Sequence, residues 1–235
     1  MPQKLSCVVA EVISHGEQVY SIILRPERPT MRFLPGQFLH LTLDEYQPGD
    51  FWPDSRVFSI ASSPADRDLL RITYAVKGNF TTRMEKELHP GRVVWVKLPY
   101  GDFIVTPDRD VCILAGGTGI TAFTAFISAL GEDCPHQVSL FYGARHPDLL
   151  IYRSLVEAAS RRCPNLHAHF LAEEGYDGTD CLPGRIEIAR VWDFLPTALR
   201  VHYYLSGPPD MLHALVDKLH QNSVPTDQIH IDAWE

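Results

Sequence analysis

Four stretches of the sequence carry residue types suited to holding phosphates and flat rings. Gly116-Gly117-Thr118-Gly119-Ile120-Thr121-Ala122 lies between a continuous apolar run and an apolar helical stretch, and Gly117, Gly119 and Ala122 fit the G-x-G-x-x-G/A form. Glycines there let the backbone turn tightly and approach a pyrophosphate, while a helix N-terminus presents free N–H groups and the positive end of its dipole. Ser206-Gly207-Pro208-Pro209 makes a second turn between a strand-like and a helix-like segment. In Arg56-Val57-Phe58-Ser59, the guanidinium can neutralise a phosphate and the phenyl ring can stack on a flat ring system. The Ser59 hydroxyl can hydrogen-bond a ring nitrogen that gains and loses a proton. Lys77-Gly78-Asn79-Phe80-Thr81-Thr82 adds a glycine turn feeding a helix start with hydroxyls at its cap. Each stretch alone also fits an ordinary turn or a capped helix.

The elements that must position these residues fall into two halves of different period. Leu5–Ile13, Val19–Leu24, Phe38–Leu43, Val57–Ile60, Leu70–Val76 and Val93–Leu98 are short, rich in β-branched and aromatic residues, and separated by Pro, Gly and Asp clusters. They predict a small antiparallel β-barrel, with one helix near Thr81–Leu88 before the last strand. From Val111 onward strands alternate with helices. Strands are expected at Val111–Ala115, Val138–Tyr142, Leu166–Leu171, Val201–Leu205 and Ile229–Ile231. Helices are expected at Ile120–Leu130, Leu149–Arg161, Ile186–Trp192 and Pro208–Asn222. This alternation predicts a Rossmann-like α/β domain with a parallel sheet covered on both faces. The boundary falls near Pro107, giving domains at 1–106 and 111–235.

Composition narrows the class. The chain has 235 residues, is 45% hydrophobic and carries a net charge of -8 without a Lys/Arg cluster, which disfavours nucleic acid as a partner. Nothing reads as a signal peptide or a membrane span, so the cytoplasm is the expected compartment. Cys7, Cys112, Cys134, Cys163 and Cys181 are too widely and irregularly spaced for an iron–sulfur or zinc site and read as reduced, mostly buried thiols. The histidines lack metal-ligand spacing, and no Gly-x-Ser-x-Gly elbow suggests a hydrolase. No metal site is expected.

Taken together, the stretches resemble the ferredoxin–NADP reductase superfamily. Arg56-Val57-Phe58-Ser59 is similar to its RxYS flavin motif with Phe for Tyr, and Gly78-Asn79-Phe80-Thr81 to its flavin-phosphate turn. Pro99-Tyr100-Gly101-Asp102-Phe103 resembles its PxGxF segment, and Gly116–Thr121 matches its GGTGIT loop. Phe141-Tyr142-Gly143-Ala144-Arg145 matches its YGxR strand end. Ser206-Gly207-Pro208-Pro209-Asp210-Met211 resembles its CGPPxM segment with Ser for Cys. The matches occur in family order over almost the whole chain.

The resemblance implies an FAD-dependent NAD(P)H oxidoreductase: a barrel holding FAD, an α/β domain holding NADH or NADPH, and hydride passing from nicotinamide to flavin. It places the flavin on Arg56, Val57, Phe58, Ser59, Gly78, Asn79, Phe80, Thr81 and Thr82, with Ile72 and Tyr74 near the ribityl chain and phosphates. It places the nicotinamide nucleotide on Gly117, Thr118, Gly119, Ile120, Thr121, Arg145, Ser206, Gly207, Pro208, Asp210 and Met211. Ser59 and Ser206 flank the hydride path, Trp234 covers the flavin face, and Asp232 falls where relatives often carry a glutamate. NADPH binders of the family tend to place Ser and Arg after the third strand of this domain. Glu173 and Glu174 stand there instead, and their carboxylates would repel a 2′-phosphate, so NADH is the expected donor. Electrons then pass to a separate ferredoxin-like or haem protein. The alternatives are a reductase of free flavin and an electron-relay subunit of a larger complex.

Overall fold

The computed structural model describes residues 2–106, 108–176, 180–195 and 198–232. Two compact units emerge, one comprising Met1–Ile104 with Thr121–Ala125 and the other Val105–Ile120 with Phe126–Glu235.

The first unit is a near-closed antiparallel barrel of six strands: β1 (Gln3–Ser14), β2 (Val19–Pro26), β3 (Phe38–Thr42), β4 (Arg56–Ser59), β5 (Leu70–Ala75) and β6 (Val93–Tyr100). Their spatial order is β4-β3-β6-β1-β2-β5. Period-two alternation sends Leu5, Cys7 and Val9 of β1, Ile22 and Leu24 of β2 and Val94, Val96 and Leu98 of β6 into one apolar core. The β1–β2 pairing shifts register between Val9 and Glu11, just beyond Val8 where the β1–β6 pairing ends, an irregularity of the kind that bends a strand. Helix α1 (Asn79–Glu87) closes the core with Phe80 and Met84, one turn apart, and Leu88 follows them inward.

The second unit is a fully parallel sheet of β7 (Val111–Gly116), β8 (Val138–Ala144), β9 (Leu166–Ala172), β10 (Leu182–Pro183), β11 (His202–Ser206) and β12 (Ile229–Asp232), in the order β10-β9-β8-β7-β11-β12. Its helices are α3 (Arg153–Arg162), α4 (Ile188–Asp193) and α5 (Pro209–Gln221), while α2 (Thr121–Ala129) is divided, Thr121–Ala125 counting with the first unit and its remainder with the second. Every residue of β7 is buried, as its uninterrupted apolar run requires. Leu212, Leu215 and Leu219 repeat at helical spacing and turn α5 onto the core beneath Leu205 and Tyr203. The chain runs outward from β7 through β8 and β9, then returns to lay β11 on the other side of β7. The carboxyl ends of β7 and β11 therefore form a topological switch point.

Three details depart from the sequence expectation. Helix α3 begins at Arg153 rather than Leu149, because Pro147–Leu149 form a separate 3-10 turn. The glycine segment Gly117–Ile120 is also a 3-10 turn, delaying α2 to Thr121. The two-residue strand β10, paired with Leu171 and Ala172, has no counterpart among the expected strands.

Candidate functional site

The barrel has one incompletely sewn seam. Among the described residues β4 pairs with β3 and β5 with β2, leaving the outer edges of β4 and β5 without ladder partners. Beyond Ser59 hydrogen bonds join the two lines: the Ala61 N–H donates to the Arg71 carbonyl (2.8 Å) and the Arg71 N–H to Ser62 Oγ (3.2 Å). An unpaired strand edge presents main-chain donors and acceptors to whatever lies against it.

Aromatic side chains and one cation line this seam. Phe58 tilts on Tyr74 at 6.2 Å, and Tyr74 stacks on Tyr20 at 5.7 Å. The Tyr74 hydroxyl is buried and has no hydrogen-bond partner among the described residues. Burial pushes its ionisation up, with Tyr20 and Glu85 adding to the shift, so it stays a proton donor at any physiological pH. Tyr20 donates to Glu85 Oε1 at 2.9 Å. At the other end of β4, the exposed Arg56 guanidinium sits 5.4 Å from the Phe80 ring centroid, beside the start of α1, and also bonds Asp54 at 3.2 Å. The first turn of α1 contains no acidic residue, and a Cβ built on its cap, Gly78, would meet nothing within 4 Å. A guanidinium and a helix N-terminus thus converge on open space.

The sheet unit carries a second cradle at its switch point. Gly119 lies so close to the following turn that a Cβ there would stand 2.5 Å from the Ser206 carbonyl carbon and 2.6 Å from the Gly207 nitrogen. Gly116 and Gly207 are pressed against the Met211 thioether in the same way. Gly117 is different: it holds φ +54 and faces open space. The two glycine turns interlock, and of Gly116, Gly117, Gly119 and Gly207 it is Gly117 that turns outward.

Beneath them, Ser206 Oγ donates to Asp232 Oδ2 at 3.0 Å, both residues being buried. Asp232 Oδ1 is buried with no partner among the described residues. Desolvation pushes the Asp232 carboxyl up to about 7, opposed by the Ser206 hydrogen bond.

Comparison with known proteins agrees with this layout. The family model for the oxidoreductase NAD-binding domain matches residues 113–217. A probable dihydroorotate dehydrogenase B (NAD(+)) electron transfer subunit from Methanopyrus kandleri is 31% identical over 222 residues, spanning 93% of this chain and 76% of the relative. The chain belongs to the ferredoxin reductase-like FAD/NAD-binding oxidoreductases. A second relative, the ferredoxin reductase component of 3-ketosteroid-9-alpha-monooxygenase from Mycobacterium tuberculosis, is 24% identical over 98% of this chain, which spans 65% of that protein's length. The solved ferredoxin reductase of carbazole 1,9a-dioxygenase superposes with a TM-score of 0.75 at 28% identity, covering all of this chain and 70% of the other.

Within this ferredoxin reductase-like chain, the structure brings the expected residues into two groups. Arg56, Val57, Phe58, Ser59, Gly78, Asn79, Phe80 and Tyr74 gather about the barrel seam and α1, and Gly117, Gly119, Ser206, Gly207, Pro208, Met211 and Asp232 about the switch point. Ile72 is an exception. Its side chain is fully buried in the barrel core, so only its main chain can face a ligand. Thr81 Oγ1 is already committed, accepting from the Lys77 and Gly78 N–H groups and donating to the Gly78 carbonyl. Ile120 is buried beneath the loop, and Met211 packs the glycine turns. Trp234 lies outside the described residues.

Glu173 has a partner that the sequence does not announce. The Arg185 guanidinium, just after β10, donates to it at 2.8 Å, while Glu174 lies 3.8 Å from His146. The Glu173 charge is therefore met by a cation before any ligand arrives. Tyr20 is a further residue that sequence reasoning misses, because nothing in its local sequence marks it as Tyr74's partner. Three of the histidines have such partners: His169 stacks on Phe141 at 4.7 Å, and His202 and His230 share a 2.9 Å hydrogen bond. No cluster able to hold a metal ion occurs among the described residues.

Proposed function

We propose that the protein takes a hydride from NADH onto a bound FAD and delivers the electrons to a separate acceptor protein in the cytoplasm. One observation carries this reading: each unit builds a cradle in which main-chain groups and a helix start converge on open space beside a glycine. The barrel cradle adds a cation, flat aromatic rings and the unpartnered Tyr74 hydroxyl, a donor set that fits a flavin with its phosphates. The switch-point cradle, with Gly117 facing outward and the unpartnered Asp232 oxygen below, fits a nicotinamide dinucleotide.

FAD, when bound, supplies the chemistry of accepting a hydride and releasing electrons singly. The chain's own residues bind, orient and hold protons. Arg56 and the first turn of α1 neutralise the pyrophosphate, Phe58 packs on the ring system, and Ser59 offers a hydrogen bond at the end of β4. Gly117 to Gly119 receive the dinucleotide phosphates on main-chain N–H groups. Asp232, titrating near neutrality beneath Ser206, holds a proton at the floor of the switch-point cradle.

Replacing Arg56 with alanine is expected to weaken FAD binding about tenfold or more while leaving the barrel folded, since the side chain is exposed and its ion pair with Asp54 contributes little. Fluorescence titration of flavin-free protein measures this, and unchanged affinity removes Arg56 from the site.

For the donor, NADH rests on the carboxylate pair Glu173 and Glu174, and the Arg185 cation bonded to Glu173 makes this the choice to test directly. Anaerobic titration with NADH and NADPH, recording flavin absorbance, tests flavin content, donor and competence together. NADH is expected to bleach the flavin with at least tenfold higher efficiency, and an NADPH preference overturns the choice. A second reading, an electron-transfer subunit of a larger complex, is favoured by the 31% identical relative, of which this chain spans 76%. Flavin that NADH reduces but that passes no electrons to ferredoxin-like or haem acceptors points to it.

A further inference from the structure

The carboxyl ends of β9 and β10 hold an ion pair that has no part in hydride transfer itself. Arg185 Nε donates to Glu173 Oε2 at 2.8 Å, Glu173 standing one residue past β9 and Arg185 two past β10. The main chain fixes both positions. The Glu173 N–H donates to the Ala144 carbonyl (3.2 Å) at the end of β8, and the Gly184 N–H to the Ala172 carbonyl (2.7 Å). Next to Arg185, the Ile186 side chain is buried against Gly143, where an added Cβ would stand 3.2 Å from it. The side-chain ends are freer, that of Arg185 being 79% exposed and that of Glu173 37%.

In an open parallel sheet a ligand lies across the carboxyl ends of the strands, beside the switch point. With the order β10-β9-β8-β7, Glu173 stands two strand spacings from the Gly117 turn, about 10 Å along the row. A dinucleotide whose pyrophosphate rests on Gly117 can bring its adenosine ribose that far. The 2′ position of this ribose then meets the pair. A bare 2′-hydroxyl can donate to the Glu173 carboxylate while Arg185 stays bonded to it. A 2′-phosphate meets the carboxylates of Glu173 and Glu174, and each repels it. Arg185 has the opposite character, because a guanidinium can grip phosphate through two parallel N–H bonds. Its bond to Glu173 is a solvent-exposed ion pair, a kind that contributes little and exchanges readily.

We infer that Arg185 is a specificity-determining residue of the nucleotide site, a latent 2′-phosphate ligand kept occupied by Glu173. This role presupposes the proposed nicotinamide nucleotide site and adds the residue that sets its choice of donor. With Glu173 charged, the pair is neutral and receives the bare ribose of NADH. With that charge removed, the cation is released and the same place takes the 2′-phosphate of NADPH.

The test uses the full chain and two probes, 5′-AMP and 2′,5′-ADP, which differ by the 2′-phosphate alone. Calorimetric titration should find that wild type binds 5′-AMP the more tightly. Glu173→Gln should raise the affinity for 2′,5′-ADP by about tenfold or more over wild type. Adding Arg185→Ala to Glu173→Gln should erase that gain, to within about threefold of wild type. Adding Arg185→Lys instead should keep part of it, because an ammonium meets phosphate as a point charge. In flavin reduction, Glu173→Gln should lower the KM for NADPH by about tenfold with little change in kcat. A gain that persists without Arg185, no gain in Glu173→Gln, or failure of both probes to bind overturns the role. Wild-type flavin that neither NADH nor NADPH reduces refutes the proposed activity, while the two adenosine probes still decide the role of Arg185.

Discussion

Gly119→Ala should abolish reduction by nicotinamide nucleotide while leaving the flavin in place. The added methyl would be driven into the Ser206 carbonyl and the Gly207 nitrogen, which are main-chain atoms of a neighbouring strand end and cannot swing aside as a side-chain tip would. One of the two turns must move by roughly an ångström. Such a shift in a positioning element costs on the order of a hundredfold in rate. Stopped-flow measurement of flavin bleaching by NADH should therefore show a fall of about 100-fold or more, with reduction by dithionite unaffected. Gly117→Ala is the informative contrast. Its methyl meets no protein atom, and the strain of φ +54 costs only about 1 kcal/mol, so the sheet should fold normally. A fall confined to nucleotide affinity at Gly117, against a collapse of rate at Gly119, separates the outward-facing glycine from the interlocked ones. Near-normal rates in both variants would refute the assignment of this loop.

The second large effect is on stability, through Asp232. Its carboxyl titrates near 7 in the folded protein, against an ordinary value of 3.8. The folded state therefore binds the proton more tightly than the unfolded chain does. Stability contributed by the protonated form is complete below about pH 4, is lost as pH rises towards 7, and is level above that. A rise of this size makes a difference on the order of 4 kcal/mol between the ends of that window. Asp232→Asn keeps an oxygen to accept from Ser206 and removes the buried charge. Urea denaturation should find this variant more stable than wild type at pH 8, by a few kcal/mol, and nearly equal at pH 4. Its midpoint should be almost independent of pH across that range. A wild-type profile that is flat between pH 4 and 7 contradicts a buried, neutral carboxyl at this position. The same substitution should flatten any inflection near pH 7 in the rate of flavin reduction.

Much of this architecture can be read from residue order alone, because the physics that sets it is local. Alternation in Leu5–Ile13 and Val93–Leu98 gives strands with one buried face, and the unbroken apolar run of Val111–Ala115 gives a strand buried on both. The glycine turns are equally legible, since a strand followed by Gly-Gly-Thr-Gly and an apolar helix leaves the backbone few choices. What escapes depends on partners distant in sequence. Strand β10 is too short to carry a pattern and exists only because Leu171 and Ala172 offer an edge. Arg185 reaches Glu173 through that same strand, so the ion pair is as unreadable as the strand. Ile72 has neighbours that point to a ligand, yet it shares the inward face of β5 with Leu70, and its pairing with Ile22 leaves its side chain in the core. Thr81 shows the same limit on a smaller scale: a hydroxyl at a helix start looks available until its own backbone is seen to claim it.

The open seam between β4 and β5 has a consequence for handling the protein. Bare strand edges recruit other strands, and the usual remedy is to cover them. A prosthetic group lying along that gap would do the work of a seventh strand, shielding polar backbone that has no ladder partner among the described residues. Preparations stripped of their yellow colour should then be prone to self-association that grows with concentration, and adding the group back before concentrating should keep them dispersed.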